Sequence, residues 1–242
     1  PTVGKKTYSQ KIKELARNTM ISKGLCEALT YSFESPKVFD KLLIPQESDL
    51  RKAVVISNPL GEDFSIMRTT TLNGILTSLS TNYNRRNEEA AIFEVAKEYL
   101  PKAVPLTELP NEVEKLTVGM FGKTDFFGLK GVVETLFDTL GIEEDYLPAK
   151  DILWMHPGRC AKIVVDGENL GYLGEIHPKV AKNYNIGTKV YVAVVDIKGL
   201  VKHANLVRAY KPLPKFPAMT RDISMLVDDS VFVRDIDMII KE

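Results

Sequence analysis

A chain of 242 residues, 44% hydrophobic and 26% charged, can bury a sizeable core, and its 32 basic and 32 acidic side chains leave no global field to gather nucleic acid. No run of about 18 apolar residues is present to span a bilayer, and Pro1-Thr2-Val3-Gly4-Lys5-Lys6 has no apolar secretion core, so a soluble cytoplasmic protein is expected. Cys26 and Cys160 stand far apart and form no CxxC pair, which argues against a disulfide framework or a zinc site; both read as small core residues.

Ile12, Leu15, Ala16, Thr19 and Met20 recur at helical spacing, and Gly24 supplies a left-handed stop, which predicts a first helix. Leu25 to Phe33 is rich in strand formers, with Leu25, Leu29, Tyr31 and Phe33 on one face, and Ser35-Pro36 then starts a short helix to Leu43. Ala53 to Ser57 reads as a strand that runs into a tight turn at Asn58-Pro59-Leu60-Gly61. Leu72, Ile75, Leu76, Leu79 and Tyr83 mark a helix face, and Ala90 to Leu100 is a strand followed by a loop punctuated by Pro101, Pro105 and Pro110. Leu116 to Phe121 is another strand, and the apolar positions from Leu129 to Leu140 define an amphipathic helix stopped by Gly141. Cys160 to Val165 and Leu170 to Ile176 flank Asp166-Gly167-Glu168-Asn169, a hairpin signal. A short helix at Pro178 to Tyr184, a strand at Val190 to Ile197 and a helical stretch to about His203 complete this part.

Hairpins interrupted by helices, without βαβ repetition, imply an α+β fold: a mixed, mainly antiparallel sheet flanked by helices. Tyr210 to Pro217 has three prolines in eight residues and reads as an extended linker, so residues 1–209 and 210–242 are expected as two units. The second offers a strand at Ile223 to Val227 and a helix from about Val233, too little to stand alone, so the chain is expected to be cut from a longer one.

Simple catalytic motifs fail. Gly122-Lys123-Thr124 resembles the end of a phosphate-binding loop, but the glycine required five positions earlier is Thr117. His156, His177 and His203 lack metal spacing, and no GxSxG sequence occurs. His156-Pro157-Gly158-Arg159 reads as a turn delivering Arg159 to a carboxylate, and Glu62 and Asp63 as loop charges. No catalytic residue and no metal ligand is assigned.

Five motifs in order, "NPLGEDFSIMRTTTLNGILTSLSTNYNRR" (Asn58 to Arg86), "AIFEVAKEYLP" (Ala91 to Pro101), "HPGRCAKI" (His156 to Ile163), "LGYLGEIHPKV" (Leu170 to Val180) and "FPAMTRDISMLV" (Phe216 to Val227), resemble the C-terminal half of the bacterial phenylalanyl-tRNA synthetase beta subunit. The resemblance implies a class II aminoacyl-tRNA synthetase-like module that has lost its active site, followed by the truncated start of a ferredoxin-like anticodon-binding domain. It implies a complex of two alpha and two beta chains that uses ATP and Mg2+, in which the alpha chain binds phenylalanine and ATP while this fragment binds no cofactor, and in which tRNA(Phe) is the RNA partner. A working site of that class needs arginines against the phosphates. Ile92 to Ala96 carries none, and Gly171 to His177 offers Glu175 and a histidine instead.

Within that resemblance, Lys11 to Phe33 either contributes to the alpha-chain contact, with Ile12, Leu15, Met20 and Tyr31, or is an ordinary core helix and strand. Arg68 caps a helix, pairs with a carboxylate or braces a subunit contact. Ile197 to Arg221 contains no acidic residue, and Lys211, Lys215 and Arg221 are the candidate RNA contacts, the alternative being a solvated linker. A noncatalytic, tRNA-positioning part of the ligase is therefore expected. The alternatives are a self-sufficient adenylate-forming ligase of related fold and a pure protein-interaction module.

Overall fold

Thr7 opens the first helix, α1 (Tyr8–Ser22), with a capping box: its hydroxyl accepts the Gln10 N–H at 3.2 Å while its own N–H donates to the Gln10 side chain at 2.8 Å. Gly24, at φ +86°, stops the helix where the sequence predicts. The computed structural model describes residues 3–210 and 212–241, which fall into two units, Pro1–Arg208 and Ala209–Glu242.

After α1 come β1 (Cys26–Glu27), β2 (Phe33–Glu34), the short α2 (Val38–Lys41), β3 (Ile66–Met67), α3 (Leu72–Asn84) and two long paired strands, β4 (Ala90–Leu100) and β5 (Asn111–Phe121). They are followed by α4 (Phe126–Leu140), β6 (Asp145–Pro148), β7 (Met155–Val165), β8 (Glu168–Ile176), α5 (Pro178–Asn183), β9 (Val190–Asp196) and α6 (Ile197–His203). Seven strands form one sheet in the order β1-β4-β5-β9-β8-β7-β6, antiparallel throughout except for the β1–β4 pair, and β2 and β3 form a separate small ribbon. This is the predicted α+β class with a mixed, mainly antiparallel sheet.

Strand alternation sends side chains to both faces, and each face carries its own core. Phe93, Leu116, Val118, Leu173, Ala193 and Val195 meet α1, α4 and α6 on one side. Phe121, Val192 and Val194 meet α2, α3 and α5 on the other. Contact with α3 is tight enough that a Cβ built on Gly119 of β5 would lie 2.4 Å from Ile75 and 2.9 Å from Leu79, so only glycine lets the helix lie flat on the strand.

Several expectations are corrected. Leu25 to Phe33 is not one strand: β1 holds two residues on the main sheet, and the chain leaves before β2 joins the ribbon, exposing Leu29 and Tyr31. Ala53 to Ser57 contributes only a single bridge, Val55 to Ile66. His156-Pro157-Gly158-Arg159 is not a turn but part of β7, where a register shift between Met155 and Cys160 accommodates the proline, which has no N–H for a ladder. Cys26 is exposed rather than in the core. Cys160 is buried, and burial pushes its thiol up to about 12.

In the second unit the described residues include α7 (Val233–Lys241), but 223–227 form no strand, and a ferredoxin-like unit is not shown. An apolar run becomes a strand only when a partner satisfies its ladder, and none of the described residues pairs with it.

Candidate functional site

On β4, alternation turns Ile92, Glu94, Ala96 and Glu98 toward α3, and the register places Glu94 beside Thr117, Val194 and Tyr172, and Ala96 beside Lys115 and Asp196. This ladder crosses the sheet face and is roofed by the segment between β3 and α3, in which Arg68, Thr69, Thr70 and Thr71 are all buried.

Arg68 is 5% exposed, and its guanidinium is spent inside the chain. Its Nε donates to the Lys97 carbonyl at 2.7 Å and its Nη1 donates to Thr30 Oγ1 at 3.0 Å, with Glu94 Oε2 3.6 Å away. Glu94 accepts the Thr30 N–H at 2.8 Å and the Thr30 hydroxyl at 2.9 Å. The Thr71 N–H donates to Glu98 Oε1 at 3.1 Å, and the Thr71 and Thr117 hydroxyls meet at 2.5 Å. From β2, Glu34 accepts Asn73 Nδ2 at 2.9 Å on one oxygen, while its Oε1 is buried without a hydrogen-bond partner.

Four acids, Glu34, Glu94, Glu98 and Asp196, thus face two cations, Arg68 and Lys115. Burial acts on the excess: it pushes Glu34 up to about 7 and raises Glu98 as well, opposed chiefly by Lys115. Lys115 Nζ is held by Asp196 at 2.8 Å. Between these groups a pocket of about 250 Å³ is lined by Thr69, Thr70, Glu98, Lys115, Tyr172 and Asp196, with Trp154 donating its Nε1 hydrogen to the Tyr172 oxygen at 3.1 Å.

A second, larger cleft of about 810 Å³ runs past the ends of β8 and β9. Arg159 lines it and donates from Nη1 to the buried Glu175 at 2.9 Å, a carboxylate partner of the kind the sequence suggests. His156 and His177 use their Nδ1 atoms to accept neighbouring backbone N–H groups, from Gly158 and Lys179. His203 lies 3.2 Å from Asp166 and 3.0 Å from Glu168.

The structure separates the expected contact residues. Ile12 and Met20 are fully buried and Leu15 partly buried on the opposite side of the sheet, so their side chains serve this chain's own core. Tyr31 is 74% exposed and stacks edge-on with Phe64 at 5.7 Å, in a groove of about 430 Å³ with Leu29 and Phe33. Arg68 is close to Tyr31, its Nη1 3.4 Å from the Tyr31 carbonyl, but faces inward. Lys215 and Arg221 are exposed in the second unit, and Lys211 lies outside the described residues. Glu34, Glu94 and Glu98 were not among the sequence candidates, although acids at inward positions of an apolar strand are a signal that alternation can expose.

The site does not fit ATP with Mg2+. The ladder presents carboxylates where phosphates need cations, its arginine is already committed, and no group of three metal-ligating side chains occurs among the described residues.

A seven-stranded, mainly antiparallel sheet filled on both faces by helices is also found in a solved aminoacyl-tRNA synthetase. The pyrrolysyl-tRNA synthetase of Desulfitobacterium hafniense shares it with a TM-score of 0.65 over 80% of this chain and 68% of that one, at 14% identity. The chain belongs to the phenylalanyl-tRNA synthetase beta chain family, whose CLM domain model matches residues 1–197. Phenylalanine–tRNA ligase beta subunits of Clostridium acetobutylicum and Clostridium tetani are 47% and 46% identical to it, in each case over 98% of this chain and 30% of the relative. The chain therefore spans about 30% of the length of these relatives. No helix among the described residues is long and apolar enough to cross a membrane.

Proposed function

We propose that this chain is a noncatalytic, structural and tRNA-positioning part of phenylalanine–tRNA ligase, supporting ATP-dependent attachment of phenylalanine to tRNA(Phe) by an alpha chain in the cytoplasm. The observation that carries this reading is the filling of the sheet: α3 lies flat on Gly119, and the remaining polar surface on that face is acidic. A nucleotide needs an open concavity with fixed positive charge, because phosphates leaving water must be met by cations. ATP and Mg2+ belong to the alpha chain in this reading, and the whole is an assembly of two alpha and two beta chains.

The contact with the alpha chain is assigned to the groove where exposed Leu29, Tyr31 and Phe33 adjoin the partly buried Phe64, since exposed apolar and aromatic side chains gathered in one place are the kind of patch that a partner buries. Ile12 and Met20 support it only from within. Lys215 and Arg221, with Lys211, supply phosphate contacts to tRNA.

Co-expression with the alpha chain tests the reading. Tyr31→Asp is expected to abolish copurification while leaving the unfolding temperature unchanged, because Tyr31 is already in water. Undiminished association of that variant would refute the docking surface, and pyrophosphate exchange by this chain alone would favour the self-sufficient ligase instead.

A further inference from the structure

The ladder's residual pocket has a composition that the scaffold role does not use. Glu98 is 7% exposed, and of its two carboxylate oxygens Oε1 accepts the Thr71 N–H while Oε2 has no hydrogen-bond partner among the described residues. The side chain lines the 250 Å³ space, so that oxygen has somewhere to direct its lone pairs. Lys115 cannot neutralise it fully, because its ammonium is already engaged by Asp196. Tyr172 accepts from Trp154 and keeps its own hydroxyl proton to give, and Thr69 and Thr70 add polar groups to the wall.

We propose that this pocket binds a small primary ammonium compound, with Glu98 Oε2 as the charge partner and the Trp154–Tyr172 pair beside its apolar end. The charge of the lining selects the ligand: Glu98, Lys115 and Asp196 sum to −1 when ionised, and a monocation restores neutrality where a phosphate or free carboxylate would add to the excess. Size selects it too. A space equal to roughly eight water molecules holds a short amine and excludes a nucleotide. A metal ion is a poorer occupant, since the Lys115 ammonium already holds Asp196 and no three-ligand cluster exists among the described residues.

Binding is coupled to a proton. The groups facing Glu98 are Glu94 on its own strand, Lys115 on β5, Asp196 on β9, Tyr172 on β8, Arg68 from the roof and Glu34 from β2. Burial raises Glu98, and an ammonium seated on its carboxylate favours the ionised form, so whatever proton the acid holds in the empty pocket passes to solvent on binding. Affinity therefore rises with pH across the titration of Glu98.

Calorimetric titration of the intact protein with n-propylammonium chloride tests this, with propan-1-ol and magnesium chloride as separate titrants. The expected result is saturable binding of the amine alone, tighter at about pH 8 than at about pH 5 and accompanied by proton release between buffers of different ionisation enthalpy. Glu98→Gln keeps the acceptor for Thr71 and is expected to weaken binding by about tenfold or more and to abolish the proton release. Absence of saturable binding by the wild type, equal binding of propan-1-ol, or an amine affinity no greater at about pH 8 than at about pH 5 would each overturn the proposal. Magnesium binding that depends on Glu98 would also overturn it. The wild-type comparison of the amine with the alcohol decides the matter even if the variant fails to fold.

Discussion

Glu34 is 5% exposed, and its Oε1 has no partner, so the fold holds it most comfortably as a neutral acid with a pKa of about 7 against an ordinary 4.5. Between those values the folded chain keeps a proton that the unfolded chain has lost. Stability therefore falls as pH rises through that window, and the loss is complete above about 7. The full shift corresponds to about 3 kcal/mol. Glu34→Gln removes the titration while leaving an oxygen to accept from Asn73, so urea unfolding should show the wild type losing about 2 to 3 kcal/mol more than the variant between about pH 5 and pH 8. Parallel pH profiles for the two proteins would mean that Glu34 is ionised in the fold. The acid itself was visible in the sequence, but its burial was not. Burial depends on β2 leaving the main sheet to lie against Asn73 of α3, a long-range placement that no local pattern encodes. Arg68 differs: that it pairs with a carboxylate was one of the readings open from sequence, and only the partner, Glu94, had to come from the structure.

Elements whose boundaries are written locally were the legible ones. Apolar spacing with a glycine stop marked α1 and α4, and the turn residues around Gly167 marked the β7–β8 hairpin. Short strands were not legible, because β1, β2, β3 and β6 hold two to four residues each and exist through their partners. The closed sheet face depends on such a pairing of elements, since α3 can cover it only while Gly119 has no side chain. Gly119→Ala should destabilise by about 1 to 3 kcal/mol through overpacking. Ile75→Ala removes the nearest clashing atom, so the two changes together should cost clearly less than the sum of their separate effects in denaturant unfolding. Strict additivity would show that α3 does not bear on the strand as closely as 2.4 Å implies.

At the scale of the molecule, both cores are drawn from one stretch of sequence. Every buried residue of the two clusters lies between Ile12 and Leu200, so residues 1–208 contain the apolar burial on which their own folding depends. In the second unit Phe216, Met219, Ile223 and Leu226 are all exposed, and those side chains contribute little burial of their own. The two units meet at Arg208–Ala209, beside the proline-rich stretch, and the strand expected at 223–227 is absent from the described residues because sequence reveals propensity and not the presence of a partner. A chain ending at Arg208 should therefore unfold in one cooperative transition, with a midpoint within about 2 °C of that of the 242-residue chain. Its tRNA affinity in the complex should nevertheless fall and lose salt dependence, since Lys211, Lys215 and Arg221 go with the deleted segment. A large drop in the midpoint would show that the cores of the first unit are not self-sufficient. An unchanged salt slope would instead move the RNA contact elsewhere, and the two readouts separate stability from recognition in a single truncation.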